Sequence, residues 1–185
     1  MGGWRNDGKN FHNDANLKGA IDLSPAWFQQ GHGPSNDVHH PEVSRLLKSK
    51  SQPKEAAEQQ DEDMEAVLPM WNSVYSSMSV MVNRASPAHK DTNGRKVWLD
   101  TLLTVGNYPW LHFLVPELGI WLQYNPGTVI ALAGSALIHQ VDGIDGDRAC
   151  LAYYMRENVH RYVQVPLCER PHISDIARDL RAVQT

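Results

Sequence analysis

The residues best suited to chemistry begin at Ala88-His89-Lys90-Asp91. On an extended chain, residues two apart point to the same face, so the His89 imidazole and the Asp91 carboxylate can grip one ion together. A second imidazole, His139, ends the apolar run Ala136-Leu137-Ile138 further along the chain. Two neutral imidazoles and one carboxylate on one side of an ion leave its other side open. That facial arrangement suits non-haem iron(II), whose open positions take a co-substrate and dioxygen. A closed zinc site would want a fourth protein ligand, commonly Cys, and neither Cys150 nor Cys168 sits at useful spacing. Taken singly, each signal has a plainer reading: a surface turn around a solvated Lys90, or a hydrogen-bonded histidine at a sheet end. The third element is Arg148, nine residues beyond His139 across an Asp/Gly-rich connector. A chain that turns back over that distance returns Arg148 to the neighbourhood of His139, where a guanidinium makes a two-pronged clamp for a carboxylate. The competing reading pairs Arg148 with Asp145 or Asp147 at a sheet edge, where such pairs contribute little.

These side chains need rigid elements to hold them, and the pattern from Trp71 onward is β. The run Val74–Val82 alternates small polar with apolar residues, as a half-buried strand does. Val97–Val105, Leu111–Val115, Ile120–Tyr124, Thr128–Ala133, Ala136–Val141 and Ala149–Met155 follow, and a short strand around His89 makes eight. The connectors are rich in turn formers: Pro116-Glu117-Leu118-Gly119, Asn125-Pro126-Gly127, Gly134-Ser135 and the two Asp-Gly pairs between 142 and 147. Evenly spaced strands with turn residues between them indicate a sandwich or barrel. Trp98, Tyr108, Trp110, Trp121, Tyr124 and Tyr154 read as core and sheet packing. One of them at the mouth of a cavity could instead stack a flipped base. Upstream, residues 1–53 are rich in Gly, Asn, Asp, His, Ser and Pro and read as a loosely ordered arm, with a short helix over His40–Lys50. Residues 53–66 favour a solvated helix starting at Pro53, and the tail from Pro171 a closing helix with Ser174 as N-cap.

The order strand, His-x-Asp, several strands, His, short connector, Arg resembles the iron(II)/2-oxoglutarate-dependent dioxygenases. The resemblance covers about residues 71–163, and the strand count matches that family's eight. It is similar in particular to the TET/JBP-type branch, fungal members above all. The residues that suggest the branch are Asn83 to Asp91, Tyr124 to Val129 and Arg148 to Tyr154. The resemblance implies a mainly β chain, a double-stranded β-helix (jelly-roll) core with flanking helices, in a domain spanning 54–185. It implies iron(II) and 2-oxoglutarate as cofactors, His89, Asp91 and His139 as catalytic iron ligands, and Arg148 on the 2-oxoglutarate carboxylate. Cys150 falls where such proteins often place a Ser beside that Arg and is assigned with it to the co-substrate. Asn93, just past the second ligand, is placed to face a substrate, its competing role being a turn former in Thr92-Asn93-Gly94.

Length and composition bound the rest. At 185 residues, with 42% hydrophobic and 21% charged residues, the chain has the size of one domain and the balance of a globular protein. A net charge of −4 excludes a polycation that coats nucleic acid, so nucleic-acid contact would need a local patch. No apolar run is long enough to cross a bilayer, and the start lacks the pattern of a secretory signal. The expectation is an intracellular protein with no membrane partner, nuclear if its substrate is DNA and otherwise cytoplasmic. Two functions are weighed. One is a dioxygenase using 2-oxoglutarate and dioxygen to hydroxylate a C–H bond, which the branch implies is the methyl of 5-methylcytosine or N6-methyladenine, with a small molecule or protein side chain as the alternative substrate. The other is a non-catalytic jelly-roll binding module, against which the intact His/Asp/His/Arg set argues.

Overall fold

Alternation is cleanest in Val129–Leu132, where Ile130 and Leu132 are buried and their neighbours exposed, and it places the core on one face of that strand. The computed structural model describes residues 3–25, 42–44, 67–92, 94–143, 146–162, 164 and 167. Among these the strands are β1 (Gly19–Leu23), β2 (Ser77–Val82), β3 (Ser86–His89), β4 (Asp100–Asn107), β5 (His112–Val115), β6 (Ile120–Gln123), β7 (Val129–Leu132), β8 (His139–Val141) and β9 (Asp147–Tyr154). The α-helix α1 (Glu157–Tyr162) follows β9.

The strands form two antiparallel sheets, one ordered β1-β2-β9-β4-β7 and the other β3-β8-β5-β6. The buried cluster Tyr108, Leu111, Phe113, Val115, Tyr124, Ile130, Leu132 and Val141 draws on both sheets, so they are stacked face to face with this core between them. The chain is mainly β with a jelly-roll arrangement, as the strand spacing indicates.

The eight expected strands are present, with shifted ends. β4 starts three residues later than expected because Arg95–Trp98 closes a turn, with Trp98 N–H donating to the Arg95 carbonyl at 3.1 Å. The ninth strand, β1, lies inside the segment whose composition reads as a loose arm. It pairs along its whole length with β2, from Gly19 opposite Val82 to Leu23 opposite Met78. Its central residues are exposed, so backbone pairing rather than an apolar face holds it, and no hydrophobic period announces it. Glu42 and Ser44 are not helical as expected: Ser44 N–H donates to the Ser24 carbonyl at 2.9 Å. The rest of that helix, the helix over 53–66 and the tail helix from Pro171 lie outside the described residues.

The aromatic residues divide. Trp98, Tyr108 and Tyr124 are buried as core packing requires, but Trp110 and Trp121 are exposed. Trp121 belongs to β6, an edge strand of its sheet, and all four β6 residues are exposed.

Where β4 and β9 cross near Arg148, the backbones approach so closely that only glycine fits. Gly106 has φ +131°, and a Cβ there would lie 2.1 Å from the Asp147 carbonyl oxygen. Gly106→Ala is expected to destabilise the fold by about 2–4 kcal/mol, combining a strained φ with a backbone clash. Urea denaturation of the two proteins measures it.

Candidate metal centre and anion site

β3 and β8 are antiparallel neighbours, and their register sets His89 opposite His139. The two imidazoles therefore lie side by side, with ring centroids 4.3 Å apart. Asp91 follows β3, its N–H donating to the Gly134 carbonyl at 2.9 Å, which turns the carboxylate back toward the histidines. His89 Nε2 lies 3.6 Å from Asp91 Oδ1, and His139 Nε2 lies 3.5 Å from Asp91 Oδ2. One ligand atom from each residue falls within 4.8 Å of the others. Two atoms each about 2.1 Å from one ion at right angles are about 3 Å apart, so a small inward movement closes this set around a cation.

Each imidazole is held in the tautomer that a metal needs. His89 Nδ1 faces the Pro87 carbonyl at 2.7 Å and His139 Nδ1 the Leu137 carbonyl at 3.1 Å. An Nδ1–H donated to a carbonyl leaves the Nε2 lone pair free for a metal and fixes the ring. Burial, then the neighbouring His89, pushes the His139 pKa down, which favours the neutral form. Asp91 is ionised: burial pushes its carboxyl up, but its neighbours His89, His139 and Arg5 outweigh it and hold the pKa at about 2. Phe113, 1% exposed, stacks on His139 at 5.7 Å and 10°, closing the inner side of the pair to water.

Gly134 lets two carboxylates approach the same stretch of backbone. A Cβ on Gly134 would sit 2.7 Å from both Asp91 Oδ2 and Asp100 Oδ2. Asp100 is pushed up to about 7, first by burial and then by Asp91. A carboxyl raised above its unfolded value keeps its proton in the folded state while the unfolded state has lost it. Stability is therefore lost as pH climbs from about 4 to about 7. Asp100→Asn in EDTA should be more stable than the parent at pH 8, by on the order of 2–4 kcal/mol, and equal to it at pH 4. Denaturation at the two pH values measures this, and Asp91 titrates below that window.

Glu117 links the two ligand-bearing segments. Its Oε1 pairs with Lys90 Nζ at 3.0 Å, between His89 and Asp91, and its Oε2 accepts from Ile138 N–H at 2.8 Å, next to His139. Both contacts are exposed, so the effect is modest. Glu117→Ala should weaken Co(II) binding about threefold, less than the loss of a direct outer-shell partner; a Co(II) titration followed by visible absorption measures it.

Arg148, 7% exposed, is drawn into the interior. On β9, residues 148, 150 and 152 are the buried set, which is why a charged residue at the strand's start faces the core. Its Nε donates to Thr104 Oγ1 at 3.1 Å and its Nη1 to the Arg84 carbonyl at 2.9 Å, while its Cζ lies 5.2 Å over the Tyr124 ring. Among the described residues it meets no carboxylate; Asp147 instead accepts from Asn83 Nδ2 at 3.2 Å. Asn83, at the left-handed φ of 51° that Asn tolerates, turns the chain from β2 toward β3. Its Oδ1 accepts from Arg148 N–H at 2.7 Å, so the crossover between sheets also fixes the guanidinium's backbone. Cys150 lies on the same face, with Sγ 3.4 Å from the Tyr124 hydroxyl. Asn93 is outside the described residues. His139, Phe113, Tyr124 and Arg148 form a continuous packed series, Phe113 and Tyr124 meeting edge-on at 5.5 Å.

Periodicity and spacing give no sign of Arg84. It is 5% exposed, and its Nη1 donates to the Arg5 carbonyl at 3.3 Å. Its Nη2 contacts Met81 Sδ, and Nε has no partner among the described residues. Burial, then Arg5, depresses its pKa to about 10. Arg84 and Arg148 are two buried guanidiniums with no carboxylate hydrogen-bonded to them among the described residues, a combination able to take an anion.

The sequence model of the Tet_JBP family, described as the oxygenase domain of the 2OGFeDO superfamily, matches residues 25–157. The chain belongs to the TET/JBP oxygenase family. Members of the superfamily are iron(II)/2-oxoglutarate dioxygenases, and the donor set fits that iron: two imidazole Nε2 atoms free to ligate and one ionised carboxylate. Among solved structures, the chain is similar to NgTET1 in complex with 5mC DNA, at 14% identity and a TM-score of 0.50, covering 90% of this chain and 70% of that one. It also matches a Cupin 2 conserved barrel domain protein from Salinispora arenicola CNS-205 at 13% identity and a TM-score of 0.35, covering 51% of this chain and 76% of that one. Among curated proteins, none matches. No helix among the described residues is long and apolar enough to cross a membrane.

Proposed function

We propose that this TET/JBP-family chain is an active iron(II)/2-oxoglutarate dioxygenase that hydroxylates a C–H bond, with the methyl group of a modified nucleobase as its substrate class. The observation that carries the reading is the His89/Asp91/His139 group with both Nδ1 atoms engaged by carbonyls. His89, Asp91 and His139 would hold the iron. Arg148, beside Thr104, would take the distal carboxylate of 2-oxoglutarate, with Cys150 at the wall next to it. Arg84 supplies a second positive charge for the dianion. When bound, iron and 2-oxoglutarate supply the oxidising power, turning the co-substrate and dioxygen into succinate, carbon dioxide and an oxygen atom delivered to carbon. The protein favours a neutral His139 and an ionised Asp91, holds both Nδ1 atoms on carbonyls, and excludes water behind the pair with Phe113. The nucleobase assignment is supported by the family and by NgTET1, whose structure holds 5mC DNA.

The test has two parts. Incubation with iron(II), ascorbate and 2-oxoglutarate should yield succinate above an Asp91→Ala control. Mass spectrometry of oligonucleotides carrying 5-methylcytosine or N6-methyladenine should then show a gain of one oxygen. Succinate without any oxidised base would move the substrate to a small molecule or a protein side chain; absence of both would leave a binding module.

A further inference from the structure

The turn Gly3–Asn6 lies outside the residues matched by the family, 25–157, yet it reaches the ligand set. Arg5 Nη2 donates to Asp91 Oδ1 at 3.0 Å. Trp4 packs on His89 with ring centroids 4.5 Å apart. Arg5 and Arg84 place their guanidiniums 4.9 and 5.1 Å from the Trp4 ring centre. The turn is secured from behind: Asn10 Nδ2 donates to the Trp4 carbonyl at 2.7 Å, Ala85 N–H to the Asn10 carbonyl at 2.8 Å, and Phe11 bridges to Arg84. A segment outside the matched oxygenase region is thus tied to the β2–β3 connection, and it presents one cation to one oxygen of one ligand.

We propose that Arg5 is a positioning residue that makes Asp91 a one-oxygen ligand, reserving Oδ1 for its own guanidinium and leaving Oδ2, on the His139 side, for the metal. The proposal rests on the iron reading above and deepens it. Its logic is a count of positions. An octahedral ion held by two imidazoles and one carboxylate oxygen keeps three open positions, enough for a keto acid bound through two atoms and for dioxygen. The same ion chelated by both Asp91 oxygens keeps two, and the keto acid and dioxygen then compete. A guanidinium on Oδ1 is a charge-assisted hydrogen bond that must break before that oxygen can turn to the metal. The arrangement carries an electrostatic cost, since a cation beside the site repels the metal. Arg5 therefore trades metal affinity for open positions.

Co(II) serves as the probe metal, with 2-oxoglutarate and acetohydroxamate as two-point ligands, in the full chain and in Arg5→Ala and Arg5→Lys; visible absorption reports both binding steps without turnover. Arg5→Ala should bind Co(II) at least as tightly as the parent, while its Co(II) form binds both two-point ligands about tenfold more weakly, the scale of an outer-shell loss. Arg5→Lys, whose ammonium can still hold Oδ1, should restore most of that affinity. Unchanged acetohydroxamate binding in Arg5→Ala overturns the proposal, including the case where 2-oxoglutarate alone is weakened, since Arg5 would then touch the co-substrate directly. Loss of Co(II) binding in Arg5→Ala also overturns it, by making Arg5 part of the scaffold. Failure of the parent chain itself to bind Co(II) is a separate result that overturns the iron reading beneath it.

Discussion

Asp91→Ala should bind Co(II) or Mn(II) at least about 10³-fold more weakly than the parent, more than the 10–100-fold typical of an outer-shell partner, while unfolding at nearly the same denaturant concentration. Asp91 is the sole anionic ligand of the set, and its loss leaves two neutral imidazoles to hold a dication. The fold should survive because the Asp91 carboxylate faces partly outward and its contacts with Arg5 and the two imidazoles form an open cluster. Losing a partly exposed ion pair costs about 0–1 kcal/mol, and removing the charge beside Asp100 offsets some of that. Asp91→Asn, which keeps an oxygen but not the charge, should fall between the two. Metal titration and urea denaturation on the same preparations separate the effects; a large stability loss in Asp91→Ala would make the cluster structural.

The second large effect is expected at Arg148. Arg148→Met keeps a chain of similar length and removes the guanidinium. In the Mn(II)-loaded protein it should weaken 2-oxoglutarate about 100-fold, since a buried carboxylate would lose a charge-assisted pair and be left without a partner. Metal affinity should not change, because Arg148 makes no contact with His89, Asp91 or His139. Arg148→Lys should recover only part, since an ammonium cannot reproduce the fork that bonds Thr104 and the Arg84 carbonyl. Calorimetric titration of 2-oxoglutarate measures all three proteins. Equal binding in Arg148→Met would move the anion site to Arg84.

The ligand set is legible in the sequence because its geometry is local. His89 and Asp91 are two apart, and His139 closes the apolar run Ala136-Leu137-Ile138, although Ala136 and Leu137 lie in the turn after β7 and β8 starts only at His139. Pairing of β3 with β8 does the remaining work, placing His89 opposite His139. Arg148 is legible for the same reason, as the start of a strand that returns across a short connector. Arg5 is not. Its contact with Asp91 joins residues 86 apart along the chain, and its neighbours, rich in Gly and Asn, carry no period. Arg84 escapes notice because nothing in composition predicts that a charged residue is buried beside a strand crossover. The exposure of Trp110, in the connection between β4 and β5, and of Trp121, on the edge strand β6, also runs against expectation, since aromatic type alone cannot say whether a connection or an edge strand is covered.

The pairing of β1 with β2 bears on how this protein is handled at the bench. The family match begins at residue 25, whereas β1 ends at Leu23. A clone started at the match would amputate the outermost ribbon of the five-stranded layer and bare the amide row of Ser77–Val82, a ready template for foreign strands. It would also discard Trp4 and Arg5. Boundaries drawn from homology alone would here yield a stickier and chemically different molecule.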